Sequence, residues 1–252
     1  MALGRAARIM QNDFAEALRI QCRVLLALML REARTRYGRT KAGYLWALLE
    51  PMLHIGAFSV FFSYKVLTVP LGDSVLLFLA TGFATYIGFR NVMGRTGGGY
   101  GSNESLLSFP IVRVMDVFLG RALLELATWL TVSFIIYTGL ILTGVAPLPD
   151  SVMKILAALI ALFGIAFGIG LFIGIVGEFW PSMRSFLSVP MRLLYFTSAV
   201  FYLPDRMPPT LRDLLAWNPV MHGITLVREG YYRGYESHIL DVSRLRPART
   251  GH

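Results

Sequence analysis

Cysteine is nearly missing from this chain of 252 residues. The single Cys22 excludes an intrachain disulfide and any cysteine-based metal cluster. Charge is also scarce, at 15% of residues against about 25% in soluble domains. With a mean hydropathy of +0.58, that shortage rules out an ordinary water-facing surface. The four histidines (His54, His222, His238 and His252) are scattered, with no H-E-x-x-H and no ligand spacing, so no metal site is expected. A nucleotide-binding loop is missing too. The nearest string, Gly38 to Gly43, reads G-R-T-K-A-G and lacks the lysine and hydroxyl that would follow a phosphate cradle. No catalytic constellation and no cofactor site is legible, so any active work requires energy supplied by another chain. No signal peptide is evident in Met1–Gln21, which has Arg5, Arg8 and Arg19 but no apolar core with a cleavage site.

What the chain does have is apolar runs long enough to cross a bilayer, at about 20 residues each. Five are expected: Tyr44–Tyr64, Val75–Phe89 with Gly94 as its far limit, Val117–Leu142, Val152–Val176, and a shorter Phe186–Leu203 containing Pro190 and Arg192. Basic residues alternate between the connections. Nine lie in residues 1–42, one (Lys65) after the first run, four after the second, then one (Lys154), two (Arg184, Arg192) and seven from residue 203 onward. The first five values follow the positive-inside rule for a cytoplasmic N-terminus; the last does not. Because the net charge of +9 is concentrated in these flanks, it reads as topology and headgroup contact and not as a nucleic-acid site.

The expected fold class is therefore an all-α polytopic membrane helix bundle. Residues 1–42 form a cytoplasmic N-terminus with an amphipathic interface helix, in which Val24, Leu25, Leu28 and Met29 oppose Arg23, Arg31, Arg34 and Arg36. Residues 43–203 hold the five spans, with a short cytoplasmic helix near 105–114 following the glycine run Gly97–Gly101. In residues 204–234 prolines cut the chain into Leu211–Trp217 and Met221–Tyr232. These pieces are too short to cross and read as re-entrant outer half-helices buried in protein. Residues 235–252 are an atypical basic tail.

Two features carry functional expectations. Glu50 lies within the first span, where a carboxylate costs about 2.5–3.5 kcal/mol. Four residues on, His54 shares its helix face and is placed to pair with it, and Pro51 between them marks a kink. The pair either anchors the helix at the headgroups or lines a substrate path. Arg121 and Glu125 have the same spacing and are expected to form a structural pair. Tyr202, Trp217, Tyr231 and Tyr232 lie near the outer half, where aromatics form interfacial belts or stack on sugar rings. Gly164, Gly168, Gly170 and Gly174 make two small-x-x-x-small ridges, for packing within the chain or for a subunit contact.

The strings Leu28-Met-Leu-Arg-Glu-Ala-Arg-Thr-Arg-Tyr-Gly38 and Gly43-Tyr-Leu-Trp-Ala-Leu-Leu-Glu-Pro-Met-Leu-His54 resemble the inner-membrane permease of ABC-dependent capsular polysaccharide export. Ser108-Phe-Pro-Ile-Val112, Trp217-Asn-Pro219 and Arg228-Glu-Gly230 do so as well. The resemblance to this ABC-2 type family runs from about Gln21 to about Asp241. It implies a multi-pass protein of the bacterial inner membrane, working as a homodimer with a separate ATP-binding cassette subunit. The cargo it implies is a lipid-linked polysaccharide, handed to periplasmic and outer-membrane export components. By the same resemblance Arg31, Arg34, Arg36, Ser108, Phe109 and Pro110 become candidates for coupling to the ATPase. The family has a sixth span where this sequence continues as Val-Ser-Arg-Leu-Arg-Pro-Ala-Arg-Thr-Gly-His, so a form lacking the final span, with weak transport, is expected. Rival readings are the same machine for O-antigen, teichoic acid or another lipid-linked cargo, and a stand-alone pore or scaffold without an ATPase.

Overall fold

The computed structural model describes residues 2–37, 42–64, 70–99, 113–180 and 188–240. Eight α-helices are formed among them: α1 (Ala2–Tyr37), α2 (Ala42–Tyr64), α3 (Val75–Gly97), α4 (Val114–Leu142), α5 (Val152–Phe179), α6 (Ser188–Thr197), α7 (Pro209–Leu215) and α8 (Pro219–Tyr231). No strand occurs among the described residues. Helix starts follow local chemistry. The hydroxyls of Ser74 and Ser151 accept from the Leu77 and Lys154 amides at 3.2 and 3.4 Å, filling donors that a helix N-terminus leaves empty. Asn218 accepts from the amides of Val220 and Met221, with Pro219 opening the helix behind it.

Among the described residues four helices, α2 to α5, are long and apolar enough to cross a membrane. α3 lies at the centre, with α2, α4, α5 and α8 packed on it. Of an 18-residue apolar stretch within it 78% is buried, against 17% of the α2 span. That contrast gives the bundle one largely enclosed helix and leaves α2 as a largely open flank.

The expected fifth span is not a continuous helix. Of its described residues, 188–203, the ten of α6 are helical, a stretch about 15 Å long and half the thickness of the hydrocarbon core. Helix α6 stops because the chain turns at Ser198–Tyr202, where Ala199 has a φ of 59°. An alanine in that region costs on the order of 1 kcal/mol, so tertiary contacts hold it there. The two proline-bounded pieces are helical as expected, as α7 and α8. Residues 105–112 of the expected cytoplasmic helix, with Ser108, Phe109 and Pro110, lie outside the described residues, as does the tail from residue 241; Val114 already opens α4.

The two glycine ridges of α5 have different fates. A Cβ on Gly170 would lie 2.6 Å from the Met93 carbonyl oxygen, and one on Gly174 2.6 Å from the Phe118 ring. Around Gly164 and Gly168 nothing lies within 4 Å. Only the second ridge therefore lets α5 approach α3 and α4. We expect Gly170→Ala to cost about 1–3 kcal/mol by overpacking, and Gly164→Ala to be neutral or slightly stabilising. Thermal unfolding of the two variants in detergent checks this, and equal transitions would contradict it.

Candidate functional site

Polar chemistry collects in two places, one at each end of the bundle. At the first, α1 lies on α4. Gln21 donates to Asp116, Leu28 covers Gly120, and Arg36 pairs with Glu125. The two helices therefore run in the same direction along this stretch. Val24, Leu25, Leu28 and Met29 are the half-buried side of α1, as its periodicity suggests, while Arg23, Arg31 and Arg34 are exposed. Leu18, Leu26 and Leu30 form a second, exposed apolar stripe beside those arginines, an arrangement suited to a headgroup surface.

Arg36 departs from the expected basic face. It turns into the bundle and pairs with Glu125, whose side chain is only 4% exposed; Arg95 of α3 reaches the same carboxylate at 3.8 Å. Arg121 does not take the intrahelical partner expected for it. It pairs with Glu32 of α1 at 2.9 Å and donates to the Gly98 carbonyl at 2.7 Å, closing the end of α3. A buried carboxylate needs a cation beside it. Arg36 and Arg95 both reach Glu125, and Glu32 balances Arg121.

Glu50 and His54 also differ from the side-chain pair expected. Glu50 pairs with Arg90 of α3, and His54 Nδ1 lies 2.7 Å from the Glu50 backbone carbonyl oxygen. The His54 ring packs 5.6 Å from Phe83. From there aromatic contacts continue through Phe58, Tyr195 and Phe201, joining α2, α3 and α6. Glu50 and His54 thus stand where a charged pair meets an aromatic belt.

The second place is organised by a residue that composition and spacing did not single out. Arg228 of α8 is fully buried. Its guanidinium donates to the carbonyls of Ala199 (2.7 Å), Tyr202 and Val200 (both 3.0 Å) and to the Thr81 hydroxyl (3.4 Å). It also lies 4.0 Å over the Phe78 ring. These acceptors are three carbonyls and a hydroxyl; the charge is met by carbonyl dipoles just past the end of α6 and by a π face. Gly82 admits this arrangement, because a Cβ there would lie 2.8 Å from the Val200 carbonyl. Asn218 adds bonds to the hydroxyls of Thr197 and Ser198, so one junction holds the end of α6, the α7–α8 turn and α3. A lone arginine in a segment too short to span was the available sequence signal.

At the far end of α8, the Ser151 amide donates to Gly230 at 2.7 Å and Tyr231 Oη to Pro147 at 3.0 Å. Asp205 accepts from Tyr235, Ser237 and the His238 amide. Burial and then Asp205 raise the Tyr235 phenol above its ordinary pKa, keeping it a donor.

The aromatic candidates are dispersed. Tyr202 donates to the Thr197 carbonyl at 2.9 Å, beside the Arg228 junction. Trp217 is 90% exposed. Tyr231 is sealed in the core at 1% exposure, and Tyr232 is buried with its ring against Gly72. Within one chain these two tyrosines hold α8 in place, and Tyr231 also borders a groove between α4 and α5.

The pattern of the ABC-2 type transporter family matches residues 23–232. The polysialic acid transport protein KpsM of Escherichia coli is 30% identical over 219 residues, 87% of this chain and 85% of that protein. The capsule polysaccharide export inner-membrane protein CtrC of Neisseria meningitidis serogroup B is 31% identical, over 88% and 84% respectively. The O-antigen export system permease protein RfbA of Klebsiella pneumoniae is 21% identical, over 84% and 81%.

Proposed function

The chain belongs to the ABC-2 type transporter family, and on that premise we propose that it is the permease subunit of an ATP-driven exporter of capsular polysaccharide in the bacterial inner membrane. The observation that carries this reading is the identity with capsule-export proteins over more than four-fifths of both chains. At 21% identity, the O-antigen permease is the more distant relative. The permease does not hydrolyse ATP itself; a separate ATP-binding subunit does.

The α1 end faces the cytoplasm, since most of the basic residues outside the tail flank the spans there. ATP-driven closure of the partner pushes on α1 and on the connection between α3 and α4. The Arg36–Glu125–Arg95 and Arg121–Glu32 pairs transmit that push into α4 and α3. Two copies associate so that a lipid-linked glycan passes between them, and the open flank of α2 with its exposed Trp46, Met52 and Phe61 supports that pairing. At the opposite end α7 and α8 are re-entrant half-helices, and the cargo leaves toward periplasmic and outer-membrane components.

Exposed Arg31 and Arg34 are the residues of α1 offered to the ATPase. Reversing both charges is expected to lower ATPase co-purification at least tenfold while the permease still inserts. Unchanged complex yield would contradict that contact. Glu50 and His54 border the path. Cysteine at either position, in a Cys22→Ser background, is expected to react with small water-soluble thiol reagents. Complete protection in both the resting and the ATP-trapped complex would remove them from it.

A further inference from the structure

Helices α4 and α5 part company toward their shared loop. Between them lies a groove of about 630 Å³. Its lining runs from Leu142 and Leu148 beside the loop down to Leu130 and Leu159. It is apolar except for Ser133, Thr138 and the tyrosine hydroxyls. Several lining side chains stand open, including Phe134 at 71% and Leu148 at 76% exposure.

Two observations fix what fits. Leu130 to Leu142 spans twelve residues of helix, about 18 Å at 1.5 Å per residue, close to the roughly 15 Å of one leaflet's hydrocarbon. Fixed charges of both signs sit within two residues of the lining at its loop end. Lys154 and Arg233 are 48% and 93% exposed, and each lies 3.8 Å from its acid, Glu229 and Asp150 respectively. That separation exceeds hydrogen-bond length and leaves their N–H groups for another acceptor such as a phosphate.

We propose that this groove is a binding site for one membrane glycerophospholipid, with an acyl chain between α4 and α5 and its phosphate at Lys154 and Arg233. The proposal rests on the membrane-spanning reading above. The lipid replaces side-chain contacts that α4 and α5 do not make with each other, and so braces the wall against which Tyr231 and α8 are seated.

The test uses the whole chain made in a host without capsule biosynthesis. Resistance of the chain to carbonate extraction from membranes first checks the membrane-spanning reading by itself. A photoreactive phosphatidylethanolamine is then cross-linked in vesicles of that lipid, and labelled peptides are mapped. Labelling concentrated in residues 130–142 and 148–159 is expected, several-fold above the open flank of α2. Native mass spectrometry should find one phospholipid per chain, reduced at least tenfold in a Thr138→Trp, Leu156→Trp variant that fills the groove. Lys154→Ala with Arg233→Ala should lower retention, and added phospholipid should raise the unfolding transition of the parent more than that of this variant. Even labelling of every open face in a carbonate-resistant chain would overturn the site while leaving the export reading intact. So would retention that depends on capsule biosynthesis, which would identify cargo, or a cross-link between two grooves, which would identify a second copy.

Discussion

Replacing Arg228 by methionine is expected to destabilise the protein by on the order of 3–5 kcal/mol, the range for removing one partner of a buried charge network. Methionine has similar reach but no donor, so the carbonyls of Ala199, Val200 and Tyr202, and the Thr81 hydroxyl, lose their partner. Each buried group left unsatisfied costs about 1–3 kcal/mol. The Phe78 face loses its cation as well. For a chain of this size the melting temperature should fall by roughly 10 °C. Lysine at position 228 keeps the charge but has three donors in place of five, and should recover only part of the loss. Thermal unfolding in detergent checks both. A methionine variant as stable as the parent would mean that the junction between α6, α8 and α3 is held by packing alone.

The second large effect is expected at Glu125. Arg36→Glu sets two carboxylates together where Glu125 is 4% exposed. The expected cost is about 3–5 kcal/mol, with loss of α1 from its seat on α4 and a lower yield of the complex with the ATPase. Exchanging the charges, Arg36→Glu with Glu125→Arg, should return at least half of the stability. Full recovery is not expected, since the new arginine would face Arg95, now 3.8 Å from the carboxylate. The double-mutant cycle isolates the pair. A single variant that behaves like the parent would remove Arg36 from the coupling route.

The sequence yields whatever depends on one helix at a time. The inward face of α1, with Val24, Leu25, Leu28 and Met29, follows from spacing, and so do four apolar spans and two short helices bounded by prolines. What it hides depends on which helices meet. Arg121 and Glu125 stand four apart and look like partners, yet the register of α1 against α4 gives each a better one, Glu32 and Arg36. Spacing along a single helix carries no information about that register. The two glycine ridges of α5 look alike in sequence, and only the position of α3 decides that Gly170 and Gly174 are covered. The break after α6 was hidden for a related reason. Positions 198 to 200 read Ser-Ala-Val, without glycine or proline, and the turn at Ala199 is imposed from outside by Arg228 and by the space left at Gly82. Arg228 itself stood out only as a lone arginine in a short segment and as part of a family string, because its acceptors are backbone carbonyls and the hydroxyl of a threonine 147 positions away.

Co-purification from membranes of cells that also produce a capsule-export ATP-binding subunit is the most direct test of the central claim. The tagged chain should carry that ATPase with it, in equal amounts, and the complex should hydrolyse ATP faster than the isolated ATPase. A chain that inserts into the membrane yet purifies alone, with no effect on ATP hydrolysis, would contradict the assignment as an exporter permease.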